Sequence, residues 1–144
     1  MAEYIPSPIY WVREQIAVYE KSGGTEGTTL LDTGLPCVVI THIGNKTGGI
    51  RKIALMRVKV GDGYVLIGSN GGSEKHPVWV YNFRANLDVE LRDGTEVAKM
   101  RLREVEDDPE RAELWQAGVA AFPTYDEYKA KTPRRIAVFI AEPV

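Results

Sequence analysis

A chain of 144 residues can bury one hydrophobic core and is expected to form a single domain. Charged residues make up 26% of it and the formal net charge is −2, which argues against a general nucleic-acid coat but leaves room for a local anion site. The lone Cys37 excludes an internal disulfide, no apolar run approaches ~20 residues, and the N-terminus, with Glu3, lacks the basic-then-apolar pattern of a secretion signal, so a cytoplasmic chain without a transmembrane segment is expected.

In chain order, Met1 to Pro8 reads as an extended lead-in, because Pro6 and Pro8 disfavour helix before them. Ser7 and Pro8 then suit a helix cap and first position. The apolar stripe Ile9, Trp11, Val12, Ile16, Val18 and Tyr19 carries that helix to a stop at Ser22-Gly23-Gly24. It closes one side of a barrel or, in the alternative, forms a lid or a peripheral contact at the inner membrane face. Its polar face is poorer in basic charge than an interfacial helix wants. Thr25 to Gly34 is a glycine-spaced polar loop around Leu30-Leu31.

Pro36 to Ile43 reads as an apolar strand that buries Cys37 as an inert thiol. Arg51 to Val60 is a second strand and Tyr64 to Ser69 a third, joined by a Gly61-Asp62-Gly63 hairpin turn. A change of phase between Leu55 and Val58 predicts a bulge near Met56. Pro77 to Asn86 reads as a helix, with Ser73 or His76 as cap. Leu87–Leu91 and Glu96–Val105 are strands joined across Arg92-Asp93-Gly94-Thr95. Asp107-Asp108-Pro109-Glu110 starts a helix running to about Ala121, its acidic start suiting the positive helix end. That acidic run reads as a solvated face, since calcium-ligand spacing is missing. Phe122 to Tyr128 starts a short helix, and Ile136 to Ala141 is a last strand. About six strands with hairpin-like connections favour a closed or half-closed antiparallel barrel, mainly β with inserted helices. Residues 1–35 form the N-terminal helix and loop, and 36–144 the barrel.

Two turns stand out: Gly44-Asn45-Lys46-Thr47-Gly48-Gly49-Ile50-Arg51-Lys52 and Gly68-Ser69-Asn70-Gly71-Gly72-Ser73-Glu74-Lys75-His76-Pro77. Between Ile43 and Gly61 lie five basic residues (Lys46, Arg51, Lys52, Arg57, Lys59) and no acidic one. Glycine turns free backbone N–H groups and the basic side chains add charge, so a phosphate or carboxylate chain is the expected ligand. The two histidines, His42 and His76, are not at a zinc spacing, and no metal site is expected. No G-x-S-x-G elbow, phosphate-binding loop or dinucleotide fingerprint occurs. Tyr125 and Tyr128 can share one helix face and offer hydroxyls, although such pairs usually serve packing.

Gly44-Asn45-Lys46-Thr47-Gly48-Gly49-Ile50-Arg51, Gly71-Gly72-Ser73-Glu74-Lys75-His76-Pro77-Val78-Trp79, Pro123-Thr124-Tyr125-Asp126-Glu127-Tyr128 and Thr132-Pro133-Arg134-Arg135-Ile136 resemble the deazaflavin-dependent nitroreductase family of actinobacteria, and the leader Tyr4-Ile5-Pro6-Ser7-Pro8 with Ser22-Gly23-Gly24-Thr25-Glu26-Gly27-Thr28 resembles its soluble-looking branch. The resemblance covers about Ser22 to Pro143. It implies a split β-barrel of the FMN-binding kind that binds coenzyme F420, an 8-hydroxy-5-deazaflavin with a phospholactyl-oligoglutamate tail. By motif, Asn45, Lys46 and Thr47, with Arg51 beside them, should meet the phosphate and tail. Lys52, Ile53, Ala54, Leu55 and Met56 should run along the ligand. Ile67, Gly68, Ser69 and Asn70 should line the ring or ribityl part, and Val78, Trp79 and Asn82 another wall. Tyr125 should reach the ring; Tyr125, Tyr128 and Ser69 are the candidate catalytic groups.

The implied activity is hydride transfer from reduced F420 to a quinone, nitroaromatic or enone acceptor. The alternative is a non-catalytic binding or carrier protein for F420 or flavin mononucleotide. Nucleic acid is not an expected partner; a homodimer is compatible with the fold. Asn45 stands where the nitroimidazole-activating relative has arginine, and Met56 and Phe122 where it has tyrosines. Weak or no activation of bicyclic nitroimidazoles is therefore expected.

Overall fold

The computed structural model describes residues 3–30 and 33–144; the first two residues of the expected lead-in and Leu31 and Asp32 of the polar loop lie outside them. In chain order the elements are α1 (Tyr10–Lys21), β1 (Cys37–Ile43), β2 (Ile50–Met56), β3 (Lys59–Val60), β4 (Gly63–Gly68), a 3-10 turn (Asn70–Gly72), α2 (Val78–Ala85), β5 (Asp88–Asp93), β6 (Glu96–Glu104), α3 (Glu110–Ala121), α4 (Thr124–Lys131) and β7 (Ala137–Pro143). The strands form one antiparallel sheet in the order β2-β1-β5-β6-β7-β4-β3.

Strand alternation explains how the helices attach. On β1, Val38 and Ile40 face the interior with Trp79, Val80 and Phe83 of α2, while Cys37 and Val39 face outward to Val12, Ile16 and Tyr19 of α1. On β4 and β7, Leu66 and Phe139 join the interior, while Val65, Ile67, Val138 and Ile140 pack on Leu114, Trp115 and Tyr125. Both faces of these strands are buried, so their sequences read as unbroken apolar runs. Helix α2 fills the concave side, and Val80 and Phe83 are completely buried there. Each such side chain contributes about 1.5–3 kcal/mol by leaving water.

The expected second strand, 51–60, is not one strand with a bulge. The Arg57 N–H still donates to the Pro36 carbonyl (3.0 Å), beside β1, whereas the Val58 carbonyl already accepts from Val65 of β4 (2.8 Å). Between these residues the chain crosses from one edge of the sheet to the other, so the phase change marks the place where the curled sheet turns toward closure. The short β3 that follows brings the strand number to seven. Smaller corrections concern helix starts. The first helix begins at Tyr10 rather than Pro8, with the Ser7 hydroxyl accepting from Ile9 N–H. The N-cap of α2 is Pro77, with no side-chain cap from Ser73 or His76. No helix among the described residues is long and apolar enough to cross a membrane.

Candidate cofactor-binding site

The turn between β1 and β2 is closed by two backbone bonds, Gly44 N–H to the Gly49 carbonyl (2.8 Å) and Gly48 N–H to the Gly44 carbonyl (2.9 Å). Asn45, Lys46 and Thr47 are left exposed at its tip. With Gly44, Arg51 and the α2 residues Val78, Tyr81 and Asn82 they line a cavity of about 420 Å³. The five basic residues of this stretch have different fates. Lys52 is paired with Glu20 of α1 at 2.7 Å and lies over the Tyr4 ring. Arg57 grips Asp93 with Nε 2.9 Å from both carboxylate oxygens. Lys59 donates to the Gly61 carbonyl at 2.7 Å. Lys46 and Arg51 form no ion pair among the described residues; Arg51 donates only to the Ile5 and Pro6 carbonyls, at 3.2 and 3.3 Å. Those two cations are the charge facing the cavity.

A second cavity, about 320 Å³, shares β2 and the start of α2 as walls. Ala54, Leu55, Met56, Ile67, Pro77 and Trp79 form its apolar floor. Trp11 and Leu30 bound it on one side and Phe122, Tyr125 and Tyr128 on the other, with Ser69 and Asn70 at the polar edge. Tyr125 is 6% exposed, edge-on to Phe122 at 5.1 Å. Burial, then the neighbouring Tyr128, pushes its hydroxyl well above the ordinary tyrosine range. It is therefore a neutral donor at physiological pH, and neither it nor the Ser69 hydroxyl has a hydrogen-bond partner among the described residues. Two glycines allow the close packing. A Cβ on Gly72 (φ 79°) would lie 2.9 Å from the Tyr128 carbonyl oxygen, and one on Gly118 would strike Ile67 at 2.3 Å.

Arg134 is a residue that spacing and charge did not single out. Its guanidinium donates to the carbonyls of Gly68 (3.1 Å), Ser69 (2.8 Å) and Ser73 (3.1 Å), and to His76 Nδ1 at 3.0 Å. It thus ties both ends of the second glycine turn to the segment before β7. Burial, then Arg134 and Arg84, pull the His76 pKa down, so its Nδ1 stays an acceptor. The only sequence signal was the presence of Arg134 in the Thr132–Ile136 motif.

The structure brings most of the sequence-selected residues to the two cavities: Asn45, Lys46, Thr47, Arg51, Val78 and Asn82 to the first, and Ala54, Leu55, Met56, Ile67, Ser69, Asn70, Trp79, Tyr125 and Tyr128 to the second. Three lie elsewhere. Lys52 points to α1, Ile53 packs into the core, and Gly68 contributes its carbonyl to Arg134. The residues present fit a ligand with an anionic end and a flat apolar body: two cations with no carboxylate partner among the described residues border one lobe, and aromatic rings line the other.

The model of the F420H2-dependent quinone reductase family matches residues 11–143. The chain belongs to that family. As a member it is an oxidoreductase that works with coenzyme F420. An F420H2-dependent quinone reductase of Mycobacterium tuberculosis is 32% identical over 127 residues, covering 86% of this chain and 84% of that one. A solved structure described as an F420-H2 dependent reductase is 42% identical, with a TM-score of 0.70, and covers 79% of this chain and 98% of its own. Another, described as a domain-swapped dimer, is also 42% identical, with a TM-score of 0.72, covering 94% and 100%. The heme storage protein of Vibrio cholerae, at 14% identity, a TM-score of 0.57 and 87% coverage of both chains, shares the split-barrel fold alone.

Proposed function

We propose that this F420-dependent reductase receives the phosphate and oligoglutamate tail of the cofactor in the lobe of Lys46, Thr47 and Arg51, and the deazaflavin ring in the lobe of Ala54, Met56, Ile67 and Trp79. The observation that carries this reading is the pair of cations without carboxylate partners among the described residues, on a cavity beside an aromatic one. When bound, reduced F420 supplies a hydride from a ring carbon. Lys46 and Arg51 hold the charged end, which fixes the flat end against β2. Trp11, Leu30 and Phe122 exclude water from the apolar lobe. The neutral Tyr125 hydroxyl donates a hydrogen bond or proton to the acceptor oxygen, with Tyr128 and Ser69 as supporting donors. Quinones are the favoured acceptors because they are flat, apolar and carry two carbonyl oxygens for such a donor; nitroaromatics and enones share that shape. Met56 and Phe122 remove hydroxyls from the wall, so bicyclic nitroimidazoles are poor acceptors. The 42%-identical relative described as a domain-swapped dimer supports a homodimer.

The test is a titration with F420 and, separately, flavin mononucleotide, followed by quinone reduction with reduced F420. Tight F420 binding, weaker flavin binding and quinone turnover are expected. Flavin preference overturns the cofactor assignment, and F420 binding without turnover of any acceptor makes the chain a carrier. Tyr125→Phe lowers turnover about 10²-fold or more, within the range for general acid catalysis, and leaves cofactor affinity nearly unchanged. Equal loss in both would make Tyr125 a packing residue.

A further inference from the structure

His42 is buried on β1, 3% exposed, with its ring edge-on to Phe83 at 5.1 Å. Its two nitrogens meet different partners. Nδ1 is 3.2 Å from the Ile40 carbonyl, which can only accept, so Nδ1 carries the hydrogen. Nε2 is then a bare acceptor and receives a hydrogen bond from Asn82 Nδ2 at 3.3 Å. This fixes the amide orientation of Asn82, whose Oδ1 accepts from the Asn45 backbone N–H at 2.8 Å. The result is a directed chain from the interior of β1, through α2, to the first residue at the tip of the basic turn. Both polar groups of the Asn82 side chain are engaged within the protein. Burial, opposed by the Ile40 hydrogen bond and reinforced by Arg51, lowers the His42 pKa to about 4, so the chain keeps its direction at neutral pH.

We propose that His42 is a positioning residue for the anion-binding turn: by orienting the Asn82 carboxamide it holds Asn45, and with it Lys46 and Thr47, in the conformation that receives the charged end of the cofactor. This rests on the assignment of the tail to that turn. His42 itself touches no ligand; the turn reports its state.

The test uses His42→Phe, which keeps a ring against Phe83 and removes both nitrogens, with His42→Gln as the conservative variant and Asn82→Ala as a second break in the chain. The first readout needs no ligand. Amide hydrogen exchange at Asn45 should rise roughly tenfold in His42→Phe, the scale of one lost hydrogen bond, and recover in His42→Gln. The second readout compares F420 with the same 8-hydroxy-5-deazaflavin lacking the phospholactyl-oligoglutamate tail. Affinity for F420 should fall about tenfold while the tail-less chromophore binds within about twofold of wild type. If His42→Phe does not fold, Asn82→Ala is expected to give the same two results. Unchanged Asn45 exchange in a folded variant overturns the proposal. If exchange rises but wild type binds both ligands equally, the positioning chain stands and the tail assignment falls.

Discussion

The basic stretch that runs from Lys46 to Lys59 ends in two very different environments. At the β2–β3 crossing, Arg57 is clamped to Asp93, whose Oδ2 also accepts from Tyr64 at 2.5 Å, and Lys59 lies over the Tyr64 ring. Nearby, the Tyr19 hydroxyl donates to the Cys37 carbonyl (3.1 Å) and accepts from Gly94 N–H (2.7 Å), locking α1 to the β5–β6 hairpin. Here charge closes the fold. At the β1–β2 turn, Lys46 and Arg51 border a cavity and have no carboxylate partner among the described residues. Residues of one sign and one stretch therefore serve structure at one end and ligand at the other. What separates them is the supply of carboxylates: Asp93 on the β5–β6 hairpin and Glu20 on α1 reach Arg57 and Lys52, and among the described residues no carboxylate pairs with Lys46 or Arg51.

That contrast can be broken from either end. The largest expected effect is acid loss of stability. His42 has its folded pKa lowered from 6.5 to about 4, so its contribution is fully present above pH 6.5 and is lost as pH falls from there toward 4, when the unfolded chain takes up a proton that the folded chain refuses. This amounts to up to about 3 kcal/mol, and a folded His42→Phe variant should lack that part of the slope in urea unfolding at several pH values. At the structural end, Asp93→Ala should cost about 2–3 kcal/mol in denaturant unfolding, because it strips Arg57 and Tyr64 of their acceptor, and should leave F420 affinity unchanged. Burial raises the Asp93 pKa, but hydrogen bonds from Arg57 and Tyr64 outweigh it and leave it below the usual carboxylate value. Its stabilisation is therefore present above about pH 4 and fades below, a fall that Asp93→Asn should flatten. At the ligand end, Lys46→Ala should weaken F420 binding by about 1–3 kcal/mol without moving the unfolding midpoint. The smallest effect is expected from Lys59→Ala, within about 0.5 kcal/mol for both stability and binding.

The sequence carried the barrel class because hairpin turns such as Gly61-Asp62 and Gly94-Thr95 sit between apolar runs, and a two-residue turn leaves little choice of partner. It did not reveal the crossing at Arg57–Val58. A phase change looks the same whether the extra residue bulges within one ladder or carries the strand to another. The anion turn was legible as glycine plus charge. Which of its cations remained available was not, because Glu20 and Asp93 lie 32 and 36 residues away in sequence from their partners. Arg134 and His42 escaped for a related reason: each acts through backbone carbonyls or a carboxamide, and such partners leave no compositional trace.

The claim that charge is divided between fold and ligand is tested most directly by measuring F420 affinity, through quenching of intrinsic tryptophan fluorescence, for wild type, Lys46→Ala/Arg51→Ala and Lys59→Ala under one salt condition. The double variant should lose roughly 100-fold or more, and Lys59→Ala should bind within about twofold of wild type. Equal losses in both variants would mean that F420 senses the basic stretch as a diffuse field, and would contradict the assignment of Lys46 and Arg51 to the cofactor.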